Sequence, residues 1–226
     1  MQIVPAVSTP ITAEQARVAL VAAMPGIDRE TGTLLLALVW IETARGHLMN
    51  HNAGNITAGP QWPGNAWRPP WFEVTAETAL HPHLIELHEK MLHGQAPSAF
   101  RAYGSLLEGF QDFGHVLRNQ FKSVLEAAKT GDARAFVAAL HDSGYSRDYS
   151  PAHVPSMTQL QAELGQQFAG FPSAAQVSNA APSFFANIAL DVGIAVMAGL
   201  VIASHNEHKR NSRRANRRAR REGWLR

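Results

Sequence analysis

The residue with the strongest case for acid–base chemistry is Glu42. It follows the most hydrophobic helical run of the chain, in which apolar residues recur with the spacing of a buried helical face: Leu34, Leu35, Leu38 and Ile41. A polar, aromatic loop comes directly after it. Desolvation beside such a run raises the pKa of a carboxyl group, which then suits it to protonate the leaving oxygen of a glycosidic bond. Taken alone the signal is weak, because a Glu near a helix end is more often a solvated residue.

Helices dominate the elements that must position Glu42. Capping patterns at Thr12 and Asp28 begin the first two helices, and the second of these carries Glu42. The predicted helices cover residues 12–24, 28–44, 82–93, 105–117, 121–129, 132–140 and 155–168. Residues 46–70 are rich in Asn, Gly, Pro and Trp, which predicts a loop region, and residues 71–75 have a β-like pattern. The sequence therefore predicts an all-α domain with a minor β component.

The chain changes character after this domain, which we place at residues 1–169. Residues 170–183 have the Ala, Ser and Pro composition of a linker. Residues 184–204 are apolar, lack Lys and Arg, and are long enough to cross a bilayer as a helix. Asp191 is the weak point of this prediction, and the alternative is an apolar helix packed in a protein assembly. We expect no signal peptide at the N-terminus.

The basic residues are concentrated at the C-terminus. Residues 205–226 hold nine Lys or Arg and two Glu, a net charge of +7, whereas the whole chain carries +2. This pattern predicts an anionic partner for the tail, either lipid or nucleic acid, and orients the catalytic domain on the opposite face of a membrane. We therefore expect a membrane-associated protein whose domain lies on the face of the membrane opposite the basic tail.

Metal and thiol chemistry are not predicted. The chain has no Cys, so disulfides and thiolate sites are excluded. Four His residues cluster at His81, His83, His88 and His93, but no H-E-x-x-H pattern accompanies them. No G-x-S-x-G segment indicates acyl transfer. We expect neither a metal nor another cofactor.

Four segments, in order, resemble motifs of glycoside hydrolase family 73, the flagellar-rod and autolysin type of β-N-acetylglucosaminidase. Residues 40–46 (W-I-E-T-A-R-G) resemble its A-L-E-S-G-W-G segment, and residues 51–58 (H-N-A-G-N-I-T-A) resemble N-N-x-F-x-I-K-A. Residues 100–105 (F-R-A-Y-G-S) resemble F-R-x-Y-x-S, and residues 144–148 (G-Y-S-R-D) resemble G-Y-A-T-D. At the family's aromatic position in the second motif this chain has Gly54. The resemblance implies a lysozyme-like helical domain with a small β lobe.

The resemblance also implies roles for individual residues. Glu42 matches the catalytic acid, and Tyr145 matches a tyrosine that lines the catalytic cleft. The second carboxylate is expected on the β lobe, where Glu73 is the first candidate and Glu77 the second. A single-acid mechanism, as in lytic transglycosylases, stays open.

Several residues are predicted to bind the substrate. They are Asn55, Trp67, Trp71 and Tyr103. Trp62, Trp67, Trp71 and Phe72 crowd a polar loop, where aromatic faces either stack on pyranose rings or fix the loop to the helices.

The sequence thus predicts a peptidoglycan hydrolase that cleaves β-1,4 bonds of the glycan strand. The tail predicts association with a membrane, with the catalytic domain facing the cell wall, or with a bacteriophage virion. It also favours assembly through its helix. The alternative from another class is a structural virion protein that binds the wall without cutting it.

Overall fold

The computed structural model describes residues 1–76, 78–146 and 148–173. Four predicted features lie outside the described residues: Glu77, the second candidate for the assisting carboxylate, most of the linker (174–183), the apolar segment 184–204 and the basic tail. Across the described part of the chain, none of the helices combines the length and the apolar character that crossing a bilayer requires.

Seven α-helices account for nearly half of the described residues: α1 (Ala13–Ala23), α2 (Arg29–Glu42), α3 (Pro82–Leu92), α4 (Leu106–Gln120), α5 (Lys122–Lys129), α6 (Ala133–Asp142) and α7 (Val154–Gly165). Side-chain caps begin four of them. Thr12 and Gln15 form a capping box at α1, while Asp28, Ser105 and Asp132 accept hydrogen bonds from first-turn amides of α2, α4 and α6. The predicted helices are confirmed, with boundaries shifted by a few residues.

The α2 helix is the centre of the core. Its residues from Thr31 to Val39 are all buried, and it packs against α1, α5 and α7. Gly32 lets the Phe168 ring approach closely, because a Cβ at this position would lie 2.4 Å from that ring. A helix buried on all sides is held in a fixed place. Glu42, its last residue, is therefore fixed with it.

Short strands form the β lobe. β1 (Gln2–Ile3) pairs in parallel with β4 (Asn65–Trp67), which pairs antiparallel with β5 (Phe100–Ala102). β2 (Ser8–Pro10) pairs antiparallel with β3 (His47–Met49). Both sheets take a strand from the first ten residues, for which the sequence predicted no element. Partner strands supply backbone hydrogen bonds that a single short segment cannot provide for itself.

The strand predicted at residues 71–75 is not formed. Pro70–Phe72 is instead a 3-10 helix that begins with Pro70 at its first position. Proline fixes its own φ near −65° and lacks the N–H that a sheet ladder needs, which favours a helical turn here. A second 3-10 helix, Thr78–Leu80, precedes α3, and α3 packs against both turns. A third, Pro151–His153, precedes α7, and a fourth, Gln166–Phe168, follows it.

Candidate active site

Glu42 lies where α2 ends and the chain reverses. The hydroxyl of Thr43 donates to the carbonyl of Val39, and Ala44 and Arg45 then adopt left-handed backbone conformations with φ of 46° and 64°. Such conformations are unfavourable for residues other than Gly and require support from their surroundings. The turn carries the chain out of the core. The Glu42 carboxyl group is left half-buried at the negative end of the α2 dipole.

Two side chains hold the Glu42 carboxyl group. The hydroxyl of Tyr149 donates to Oε1 at 2.8 Å, and Tyr149 is only 4% exposed. On the other side, Nδ2 of Asn55 donates to the backbone carbonyl of Glu42 and lies 3.4 Å from Oε2. Oε1 is thus the firmly held oxygen. Among the described residues, Oε2 has only the long contact with Asn55, and it is the oxygen better placed to exchange a proton.

The pKa of Glu42 is raised above its ordinary value. Desolvation by burial is the main cause, the hydrogen bonds from Tyr149 and Asn55 oppose it, and the negative charge of Asp148 adds to it. A raised pKa keeps a carboxylic acid protonated closer to neutral pH. This is the electrostatic property that general acid catalysis needs.

Tyr145 lies beside this group but does not bond to it. Its hydroxyl donates to the carbonyl of Gly54 at 3.1 Å, and its ring meets Phe121 edge to face. Burial and, second, the charge of Glu42 raise the pKa of Tyr145 well above its usual value, so the hydroxyl stays a proton donor. The structure gives Tyr145 a direct hold on the loop that carries Asn55.

Gly54 cannot carry the aromatic side chain that the family motif has at this position. A Cβ on Gly54 would lie 2.5 Å from the Phe113 ring and 3.0 Å from the Tyr145 hydroxyl. The Phe113 ring, from α4, occupies the space that a larger residue would need. The departure from the motif is therefore matched by packing from another element.

Glu73 lies at the end of the 3-10 helix Pro70–Phe72. Its side chain is 70% exposed, and its carboxylate is 3.7 Å from Nη1 of Arg68. The Arg68 guanidinium in turn lies over the Phe72 ring at 3.9 Å. By contrast, Asp148 is the chain neighbour of Tyr149, and its backbone N–H donates to Ser146 Oγ. Of these two carboxylates, Asp148 is the one that acts electrostatically on Glu42.

The tryptophans predicted to bind sugar are placed differently from one another. Trp67 is 6% exposed and stacks on Phe100 at 5.0 Å between ring centroids. Its surface is therefore used in the core of the β lobe, and we assign it a packing role. Trp71 is half-buried, meets Phe100 edge to face and donates from Nε1 to the carbonyl of Pro97. Trp62 packs against a small alanine cluster.

Tyr103 belongs to a polar cluster on α4 and β5. Its hydroxyl donates to Oδ2 of Asp112, which Arg101 also contacts at 2.6 Å. The Arg101 guanidinium lies 4.3 Å from the centroid of the Trp62 ring. The hydroxyl of Tyr103 is thus engaged by Asp112, and its ring meets the Trp62 ring edge to face.

Within the described ranges, no group of three or more His, Asp or Glu residues is arranged to hold a metal ion. His81 and His83 meet edge to face, and Nδ1 of His88 lies 2.9 Å from the carbonyl of Trp71.

Sequence reasoning missed Tyr149. It lies one residue beyond the segment 144–148 that resembles a family motif, so the proximity of that motif was the one available signal. Its contact with Glu42 joins residues 107 positions apart and is set by the packing of α7 against α2.

Comparison with known proteins gives one sequence relative and several similar structures. No family model matches the chain. The peptidoglycan hydrolase FlgJ of Vibrio cholerae is 27% identical over 152 residues, which cover 64% of this chain and 40% of FlgJ. The chain thus spans less than half the length of this relative. The chain is therefore homologous to FlgJ, a peptidoglycan hydrolase, as the predicted resemblance implied.

Among solved structures, a mutant of a peptidoglycan hydrolase from Sphingomonas sp. A1 is 22% identical with a TM-score of 0.45, over 70% of this chain and 96% of that one. The glycoside hydrolase domain of Salmonella typhimurium FlgJ is 20% identical with a TM-score of 0.42, over 78% and 94%.

Proposed function

Because the chain is homologous to a peptidoglycan hydrolase, we propose that it is a glycosidase that cleaves the peptidoglycan glycan strand, with Glu42 as the general acid. One observation carries the proposal. The Glu42 carboxyl group has a raised pKa and is held through Oε1 by the buried hydroxyl of Tyr149. A fixed carboxylic acid with a raised pKa is suited to protonate the leaving oxygen when a glycosidic bond is cleaved.

In this mechanism the proton leaves from Oε2 of Glu42. It passes to the glycosidic oxygen as the bond from that oxygen to the anomeric carbon breaks, and the bonding electrons stay with the leaving oxygen. Tyr149 continues to donate to Oε1 and stabilises the carboxylate that forms, while Asn55 stays beside Oε2. Positive charge develops on the anomeric carbon and on the ring oxygen of the sugar.

A second group must then help an oxygen nucleophile to reach the anomeric carbon. In hydrolysis it is water, whose addition gives a free reducing end, and in transglycosylation it is the sugar's own 6-hydroxyl, which gives an anhydro end. Glu73 is the carboxylate predicted from the resemblance, and Asp148 is the one whose charge acts on Glu42. We propose hydrolysis with N-acetylglucosaminidase specificity, and the single-acid reaction is the alternative.

The experiment is a digestion of purified peptidoglycan followed by mass spectrometry of the products. Reducing N-acetylglucosamine ends support the proposed specificity, reducing N-acetylmuramic acid ends indicate a muramidase, and anhydro ends indicate transglycosylation. The matched control is Glu42→Gln, which keeps the size of the side chain and cannot donate the carboxyl proton. If the wild type also binds the wall and yields no product, the chain is instead a structural protein that binds the wall without cutting it.

The location of the protein is a proposal from sequence alone. We propose that residues 184–204 attach the enzyme to a membrane or to a virion and that the basic residues 205–226 contact an anionic surface. Flotation of the full chain with anionic and with neutral vesicles tests this. Failure to float with either would refute membrane attachment.

A further inference from the structure

We propose that Asn50 is a positioning residue that couples the first residues of the chain to Glu42. We call residues 2–10 the N-terminal strap and residues 50–58 the site loop. The inference rests on the proposed role of Glu42 as the acid. It goes beyond that role because it assigns the strap a part in positioning Asn55 against the Glu42 carboxyl group.

Asn50 is the point at which the strap and the site loop meet. Its Oδ1 accepts from the backbone N–H of Val7 at 2.9 Å, and its Nδ2 donates to the carbonyl of Pro5 at 2.9 Å. Its own backbone N–H donates to the carbonyl of Val7 at 2.8 Å. Its backbone carbonyl accepts from the backbone N–H of Tyr103 at 3.0 Å. One residue therefore joins the strap, the site loop and the end of β5.

The strap is fastened on both sides of the site loop. Strand β2 pairs with β3, which precedes the loop, and β1 pairs with β4, which follows it. The N–H of Ile11 also donates to the carbonyl of Gly46 at 2.8 Å, next to the turn that follows Glu42. The strap thus spans the two ends of the loop, and Asn50 fixes its middle to the loop itself.

The connection continues from Asn50 to Asn55 through a buried side chain. Oδ1 of Asn52 accepts from the N–H of Ile56 at 2.8 Å, and Nδ2 of Asn52 donates to the carbonyl of Ile56 at 2.9 Å and to that of Arg101 at 3.1 Å. These bonds close a short loop with Asn55 inside it. Asn55 is then held against the carbonyl and the carboxyl group of Glu42. A displacement of the loop at Asn50 is therefore transmitted to Asn55.

The site loop needs such support because its backbone is strained. Asn50, His51 and Asn55 all have left-handed conformations, with φ of 49°, 57° and 47°. Asn tolerates this region better than most residues, but three such positions in six residues are kept only where surrounding contacts determine them. The bonds from the strap supply these contacts at Asn50, the first of the three positions.

The test removes the side chain of Asn50 and keeps its backbone conformation. Asn50→Gly suits it, because Gly adopts positive φ readily. The Glu42 pKa is measured by ¹³C NMR titration, and protection of the Ile56 amide is measured by hydrogen exchange. We expect roughly thirtyfold faster exchange, which corresponds to about 2 kcal/mol, from the loss of the two side-chain hydrogen bonds of Asn50. We also expect the Glu42 pKa to rise, as in Asn55→Ala, because the Asn55 bond lowers it.

His51→Gly is the matched control. It places Gly at another left-handed position of the same loop and removes no bond to the strap. Within the described ranges, Nδ1 of His51 has no hydrogen-bond partner. We expect the Glu42 pKa of this variant to stay at its wild-type value. A rise equal to that in Asn50→Gly would mean that loop flexibility, and not the strap, is responsible, and it would overturn the inference.

An engineered disulfide between β2 and β3 tests whether the effect of Asn50→Gly can be reversed. Ser8 and Met49 are directly opposed in the β2–β3 pair, and the chain has no Cys of its own. Opposed residues of antiparallel strands are about 4.5–5.5 Å apart at Cα, which suits a disulfide. In the Asn50→Gly background, Ser8→Cys with Met49→Cys should restore Ile56 protection and the Glu42 pKa when oxidised, and lose both when reduced.

A purely structural role for Asn50 gives a different result. Asn50→Gly would then lower the melting temperature and leave the Glu42 pKa unchanged, which overturns the inference. Should Asn50→Gly not fold, Asn50→Asp tests the same point, because it keeps the acceptor for Val7 and loses the donor to Pro5. None of these measurements requires turnover. A failure of the proposed activity is thus distinguishable from a failure of the positioning role.

Discussion

Replacing Tyr149 with Phe removes one hydroxyl group from the candidate acid and keeps the buried ring in place. The hydroxyl donates to Oε1 of Glu42 at 2.8 Å, and Tyr149 is 4% exposed. A hydrogen bond to a charged group contributes about 1.5–3 kcal/mol, and one to a neutral group about 0.5–1.5 kcal/mol. The ionised form of Glu42 therefore loses about 1–1.5 kcal/mol more than the protonated form. This corresponds to a roughly five- to tenfold change in its ionisation equilibrium.

The direction of the pKa change depends on whether the ionised or the protonated form of Glu42 loses more stabilisation. Because the ionised form is destabilised, the pKa of Glu42 rises further in Tyr149→Phe. A general acid is active when protonated, so the alkaline limb of the profile of kcat/KM against pH moves to higher pH. The maximum rate falls at the same time, because Oε1 loses the donor that orients the carboxyl group.

The assay is the pH dependence of peptidoglycan digestion by the wild type, Tyr149→Phe and Tyr145→Phe. Tyr145 has the matched buried hydroxyl, but that hydroxyl donates to Gly54 and not to Glu42. We expect the alkaline limb to move further in Tyr149→Phe, which loses the direct bond to Glu42, than in Tyr145→Phe, which acts on Glu42 only through the site loop. An alkaline limb that is unmoved in Tyr149→Phe, or that moves to lower pH, would refute Glu42 as a Tyr149-bonded acid.

The remaining predictions concern the acid itself, the second carboxylate and the packing at the site loop. Glu42→Gln should lose activity by a factor of about 10²–10⁴. The same variant should melt about 2–4 °C higher at pH 7, because its free energy of unfolding increases by roughly 1 kcal/mol. The folded pKa of Glu42 is raised above the unfolded value of 4.5, so the wild type loses stability as pH rises from that value. The difference in melting temperature should vanish below pH 4.5, and a constant difference would contradict the raised pKa. Asp148→Asn should lower the Glu42 pKa in an NMR titration, whereas Glu73→Gln should leave it in place. Turnover of these two variants then shows which carboxylate assists the reaction, and a single-acid mechanism predicts small losses in both. Gly54→Ala should lower the free energy of unfolding by about 1–3 kcal/mol in urea, because its Cβ would meet the Phe113 ring. The double variant with Phe113→Ala should cost less than the sum of the single variants, and additive losses would show that the two positions do not compete for space.

The position of Glu42 could be predicted from local sequence, because the signals that set it are local. Asp28 caps α2 through the amide of Thr31, three residues away, and the same short range holds for Thr12 with Gln15 and for Ser105 with Glu108. Apolar residues at helical spacing then bury α2. Signals of this kind act within one or two turns of helix and are visible in a single sequence.

The β lobe was predicted less well, because its strands are two or three residues long and depend on distant partners. The strap strand β1 pairs with β4 more than 60 residues later, and no local pattern indicates such a pairing. The aromatic run at Trp71 suggested a strand by composition. The proline at position 70 and the packing of α3 produce a 3-10 turn instead. Composition likewise could not show that Trp67 is buried against Phe100 while Trp71 is half-buried.

The sequence by itself thus determined the helices, their caps and the placement of a carboxyl group at the end of the most buried one. Only the tertiary structure decided what surrounds that carboxyl group. Tyr149 reaches Glu42 across 107 positions, and Asn55 is held in place by the strap through Asn50. The pKa of Glu42 depends on burial and on these partners, which exist only once distant segments have packed together.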